Sequence, residues 1–379
     1  MKASTAVSNS GDDYLPPREN PNFSGHPGVE QTLLEALNSG RLPHAWLITG
    51  PKGVGKATLA YRFARHVLAT GGKEAAGSLF GDDLPQGPDD GLYMAPDDPV
   101  FKRIASRGHT DFLAIECSVN VKTGKLRTEI VVDDVRTISA FLSLTPAEGG
   151  WRVVVIDSAD EMNRSSANAV LKVLEEPPRK ALLLLVSHAP GRLLPTIRSR
   201  CRRLALKPLR TEAVVALLLD SYPELSPGDA AELARLAEGS IGRALELQQE
   251  GGLELYRELT GILGSLPDID INAVHSFAAK IGRAGADHAF HTFGDLLRAW
   301  LGRLILAVSK GAGAGGTSGT EEEEALFARL GALSSLDRWL EVWDKINHLL
   351  ARTDPINLDR RQVAIDILLG LATAARRSR

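Results

Sequence analysis

The chain has 379 residues, 44% hydrophobic and 24% charged, with Lys+Arg 44 against Asp+Glu 47 for a formal net charge of −3. At roughly 100–200 residues per domain this length implies two or three cores, and the near-neutral charge argues against gripping nucleic acid through bulk positive charge. The two cysteines, Cys117 and Cys201, allow at most one disulfide and cannot build a four-cysteine zinc site; no run of apolar residues is long enough for a membrane span, so a reduced, cytoplasmic protein without membrane contact is expected.

In chain order, residues 1–21 read as a polar tail with a Pro16–Pro17 pair, and folded sequence starts near Phe23. The segment 30–40 is a helix with Leu33, Leu34 and Leu37 on one face. Ala45–Thr49 is a short apolar strand, followed by glycines and a helical pattern through Leu59–Leu68. Residues 70–110 are poorly patterned and rich in Gly, Asp and Pro, as a long loop or insertion would be. A strand is expected at Phe112–Glu116, and Val131–Leu144 reads as a strand end running into a helix. Trp151–Ile156 and Ala181–Val186 are continuous apolar runs, the mark of strands buried on both faces of a parallel sheet. Between them lies a helix with Ala167, Val170, Leu171 and Leu174 on one side, stopped by Pro177–Pro178.

This alternation predicts an α/β domain over residues 22–207. Three short helices follow, Leu209–Leu219, Pro227–Ala237 and Ile241–Gln249, forming a small helical unit over 208–252. Residues 253–379 are helical apart from a low-complexity stretch at 310–324, read as a flexible linker. Phe293, Leu297, Trp300, Leu304, Trp339, Trp343 and Leu350 suit either a subunit interface or that region's own core.

Gly50-Pro51-Lys52-Gly53-Val54-Gly55-Lys56 matches the first seven places of the P-loop pattern GxxxxGK[ST], between a buried strand and a helix start. Backbone N–H groups of such a loop, the lysine and the helix N-terminus converge on phosphate oxygens. The eighth place, a Ser or Thr whose hydroxyl helps hold Mg²⁺, is Ala57, and Thr58 sits about 100° further round the helix. A metal is therefore expected to be held weakly. The second half of such a site is an apolar strand ending in an acid, supplied by Val153–Asp157. The next residue is Ser158, which can neither take a proton nor polarise water strongly. Asp160 and Glu161 are nearby, and are read as opening the following helix in preference to replacing a missing glutamate.

Asn168–Pro178 (NAVLKVLEEPP) and Leu194–Cys201 (LPTIRSRC), with the phosphate loop upstream, resemble bacterial DNA polymerase III clamp-loader subunits of the AAA+ superfamily. The likeness is greatest to the delta-prime kind in an alphaproteobacterial style, dense over residues 22–250 and continued at Asn357-Leu358-Asp359-Arg360. The resemblance implies a P-loop AAA+ core with a parallel sheet, a helical lid over 208–252 and an all-helical collar over 253–379. It also implies a role in loading the sliding clamp onto primer-template DNA, beside tau/gamma motor and delta subunits. Arg200 matches the arginine finger projected into a neighbour's ATP site, although Arg198, Arg200, Arg202 and Arg203 also read as a basic surface turn. Ser187 matches the polar first sensor and Arg243, in Gly239–Arg243, the second. Delta-prime subunits often carry a four-cysteine zinc module where this chain has the cysteine-free residues 70–110, so no zinc is expected. Ala57 and Ser158 place the chain with the non-hydrolysing subunit, requiring no cofactor, while Lys56 and the loop glycines leave ATP or ADP binding open. An active AAA+ ATPase using Asp160 or Glu161, and a nucleotide-free scaffold, stand as alternatives.

Overall fold

The computed structural model describes residues 15–26, 28–71, 91–119, 124, 127–148, 150–283, 285–310 and 320–376. Most of the expected tail, the centre of the 70–110 stretch and the glycine-rich part of the expected linker lie outside these. Two compact units are present: Met1–Tyr222 with Gly239–Gly242, and Pro223–Glu238 with Arg243–Arg379.

The first unit runs α1 (Val29–Asn38), β1 (Ala45–Thr49), α2 (Lys56–Thr70), α3 (Pro99–Ala105), β2 (Phe112–Ile115), α4 (Val132–Ser143), β3 (Arg152–Ile156), α5 (Arg164–Glu175), β4 (Ala181–Ser187), α6 (Pro195–Arg198), β5 (Arg202–Ala205) and α7 (Thr211–Ser221). The sheet order is β2-β3-β4-β1-β5, and every pairing is parallel. Side chains alternate across the strands, so each apolar run feeds two cores. Trp46, Ile48, Val153 and Val155 pack with Leu33, Leu59, Phe63 and Val67 on one face; Leu47, Val154, Ile156 and Leu185 pack with Val135, Ile138, Val170 and Leu174 on the other. The sheet is covered on both sides, which is why β1, β3 and β4 read as unbroken apolar runs.

Two elements differ from expectation. β5 was not anticipated: of Arg-Arg-Leu-Ala only Leu204 is buried, and the strand forms one edge of the sheet beside β1. Its Arg202 guanidinium lies 4.9 Å from the Trp46 ring centroid, so a residue that looks soluble caps a core aromatic. α3 lies inside the stretch expected to be unstructured. Asp98 caps it, accepting from Val100 N–H at 2.7 Å, with Pro99 in the first turn.

The residues just before α1 are held to α2 by two buried arginines. Arg65 Nη1 donates to Asn20 O at 3.0 Å and its Nη2 to Arg18 O at 2.5 Å, while its guanidinium sits 4.0 Å from the Phe101 ring. Arg62 donates to Pro21 O and pairs with Glu30 at 2.8 Å. Where it is described, the expected tail is therefore docked. Burial lowers the Arg65 pKa to about 10, with neighbouring Arg62 adding to the effect.

The second unit contains α8 (Pro227–Leu236), most of α9 (Ile241–Gln249), α10 (Gly252–Gly264), α11 (Ile271–Ile281), α12 (Asp287–Lys310), α13 (Glu321–Leu333), α14 (Leu336–Thr353) and α15 (Arg360–Ala375). Phe293, Leu297, Trp300, Leu304 and Trp339 are fully buried within it, with Phe277–Phe293 and Trp300–Phe327 in edge-on contact at 5.6 and 5.3 Å. They build this unit's own core. Glu321–Glu324, inside the expected linker, form the first turn of α13, capped by Thr320. Glu323 is buried and accepts from Arg235 and Arg303, each at 3.0 Å, and from Tyr256. Among the described residues no helix is long and apolar enough to cross a membrane.

Candidate phosphate-loop site

The site is assembled where β1 ends at the carboxyl edge of the parallel sheet, the usual ligand position in such folds. The chain turns through Gly50–Gly55 into α2. Leu206 N–H donates to Thr49 O at 2.7 Å and brings the end of β5 against the loop. A Cβ on Gly50 would then lie 2.4 Å from Leu206 O, and φ there is +151°, so only glycine fits. On the other side Gly242 N–H donates to Gly53 O at 2.9 Å, and a Cβ on Gly242 would sit 2.9 Å from Gly53 Cα. The segment Gly239–Gly242 is thus laid directly on the loop.

Upstream residues complete the enclosure. The rings of Phe23 and His26 stack at 5.5 Å, and His26 Nε2 is 3.0 Å from Val54 O. Burial lowers the His26 pKa against the opposing effect of that carbonyl, which favours a neutral ring donating to Val54. Phe23 also approaches the position a Gly55 Cβ would take, at 3.0 Å. Sequence reasoning passed over both residues; their signal was an aromatic and a histidine just ahead of a helix that precedes the P-loop strand.

Lys56 opens α2, is 4% exposed, and donates through Nζ to Pro51 O at 2.5 Å. Desolvation lowers its pKa to about 8, partly offset by the carboxylates of Asp157 and Asp160. Ala57 is half-buried and Thr58 is buried on the same helix. Asp157, at the end of β3, has its pKa raised by desolvation and by Glu116, and lowered by His188, the Ser158 N–H and Lys56. The structure thus groups Gly50, Gly53, Val54, Gly55, Lys56 and Asp157 in one place. Ser187 ends β4 in register with Thr49 of β1, buried, its hydroxyl without a hydrogen-bond partner among the described residues. Such a group in a P-loop sheet suits a ligand-facing role.

Ser158 adopts a left-handed backbone, φ +60°, which turns the chain out of β3 into a single 3-10 turn at Ala159–Glu161. This corrects one expectation. Asp160 and Glu161 do not open the following helix, because α5 begins at Arg164 and is capped by Asn163. Asp160 is buried and accepts the backbone N–H of His188 at 3.0 Å, with the His188 ring 3.7 Å from its other oxygen. Glu161 accepts the Cys117 thiol at 3.1 Å. These acids tie the ends of β2, β3 and β4 together. Burial pushes the thiol pKa values of Cys117 and Cys201 up to about 12, and both thiols are free. Among the described residues no cluster of three His, Cys, Asp or Glu side chains could hold a metal.

Arg200 is elsewhere. It follows α6, half-exposed, with Nη2 2.8 Å from Glu175 Oε1 at the end of α5 and Nη1 donating to Thr196 O at 3.1 Å. The LEEPP and SRC segments, distant in sequence, meet in this one ion pair. Arg243 belongs to the second unit, half-buried in the first turn of α9.

Residues 93–210 match the family described as DNA polymerase III, delta subunit. The chain is 34% identical over 208 residues to the delta-prime subunit of Pseudomonas aeruginosa, a match spanning 55% of this chain and 56% of that one. It is 30% identical over 253 residues to the tau subunit of Escherichia coli, spanning 64% of this chain and 35% of tau. The delta-prime subunit of Bacillus subtilis matches at 28% over 225 residues, 59% of each chain. The match therefore spans little more than half the length of these delta-prime relatives and about a third of tau. The resemblance to bacterial DNA polymerase III clamp-loader subunits is borne out: the chain is similar in sequence to DNA polymerase III delta-prime and tau subunits alike.

Proposed function

We propose that the chain is a delta-prime-type clamp-loader subunit, a catalytically weak member of a ring that opens the sliding clamp and places it on primed DNA. The observation that carries this reading is a phosphate loop complete in backbone and lysine but altered at two chemical positions. The glycines, the Gly53–Gly242 contact and Lys56 beside Asp157 make a phosphate cradle. Ala57 offers no hydroxyl for a metal, and Ser158 offers no base for water. ATP or ADP would be held by this loop, with Ser187 and Arg243 as its sensors, while turnover falls to the tau-type neighbour.

Residues 208–252 act as lid and 253–379 as collar in this assembly, with tau/gamma and delta subunits as neighbours. Asp160 is poorly placed to replace the missing glutamate, since one oxygen is committed to the His188 backbone. Arg200 supplies a permanent positive charge to the neighbouring ATP site; in-trans fingers elsewhere raise turnover by about 10³–10⁵. The test is DNA-stimulated ATPase of a loader reconstituted with this chain. Arg200→Ala should leave assembly intact and cut turnover at the site it serves, whereas the isolated wild-type chain should show negligible turnover. Unchanged loader activity in Arg200→Ala, or Lys56-dependent turnover by the chain alone, would overturn the proposal.

A further inference from the structure

We infer that Glu175 is a positioning residue for Arg200, so that the LEEPP segment sets the aim of the arginine that leaves this chain. The inference rests on the finger reading above. Arginine carries considerable rotamer freedom, and a guanidinium projected from a surface turn would sample many orientations before meeting a phosphate. Here two of its nitrogens are engaged. Nη2 is 2.8 Å from Glu175 Oε1, and Nη1 donates to Thr196 O at 3.1 Å within its own helical turn. The pair is anchored on both sides by buried neighbours. Leu174 and Val173 of α5 and Ile197 of α6 belong to one core cluster, so the carboxylate and the arginine are borne by elements with a fixed relation. A planar fork with five N–H donors retains others for an incoming oxyanion while these two bonds hold its plane.

Both groups are half-exposed, at 36% and 49%. The ion pair is therefore of the weak kind, whose loss is worth a factor of a few rather than of thousands. That sets the size of the effect. Glu175 aims the side chain and does not itself meet the phosphate.

The experiment is a double-mutant cycle in the reconstituted loader, read as DNA-stimulated ATPase with kcat and KM for ATP resolved. Glu175→Ala should lower kcat about three- to fivefold with KM unchanged. Glu175→Gln, which keeps an acceptor oxygen, should restore most of it. In an Arg200→Ala background, Glu175→Ala should have no further effect, the coupling expected of a residue acting only through the arginine. Gel filtration with the partner subunits controls for assembly. Additive losses in the double variant, or unchanged or raised kcat in Glu175→Ala, would overturn the positioning role. If Arg200→Ala alone changes nothing, it is the finger reading that has failed.

Discussion

A lysine that is only 4% exposed gives up its proton more readily than one in water, and Lys56 is in that position. With its pKa lowered to about 8 by burial, it is charged at neutral pH but loses that charge as pH rises past about 8. Phosphate binding needs the charged form. Affinity for an ATP analogue should therefore be full at pH 7 and fall by up to about tenfold by pH 9, measured by equilibrium titration. A flat profile across that range would show that Lys56 does not face the phosphates. Stability moves the other way. The folded chain binds fewer protons than the unfolded one between the lowered value and the ordinary 10.5, so this lysine's burial cost is relieved with rising pH across that window. The two residues bearing on hydrolysis, Ala57 and Ser158, were legible in the sequence because the P-loop pattern fixes their places. Glu175 was not, because an acid at a helix end has many ordinary uses and only the fold brings it to Arg200.

At the level of elements, the buried strands could be read directly, because a parallel sheet covered on both faces demands unbroken apolar runs. β5 could not, because an edge strand needs only one inward side chain, and Leu204 supplies it between charged neighbours. α3 was hidden by its surroundings, although Asp98 followed by Pro99 is a helix-start signal. β5 nonetheless fixes the phosphate loop, through the Leu206–Thr49 hydrogen bond and the close approach at Gly50. Gly50→Ala should therefore part the loop from the strand end, destabilising the chain by about 1–3 kcal/mol and weakening nucleotide binding. Urea midpoints with and without an ATP analogue would measure both, and an unshifted midpoint would show that the loop relaxes freely.

Over the whole molecule, each unit has a core of its own, and Phe293, Leu297, Trp300, Leu304 and Trp339 of the helical half are spent on it. In the proposed assembly, subunit association must then use other side chains, such as the exposed Leu306, Leu340 and Ile356. The clasp formed by Arg62 and Arg65 bears on where the first unit can be cut. The carbonyls of Arg18, Asn20 and Pro21 are the acceptors for two guanidiniums buried beside the helix that carries Lys56. A chain shortened to start at residue 22 would keep the whole P-loop pattern yet leave Arg62 with Glu30 alone and strip Arg65 of its carbonyl acceptors, at about 3–5 kcal/mol for that buried charge left unpaired. Its melting temperature should drop accordingly; if it did not, the clasp would be dispensable. A sequence-guided boundary placed at the first apolar residue would thus remove part of the interior.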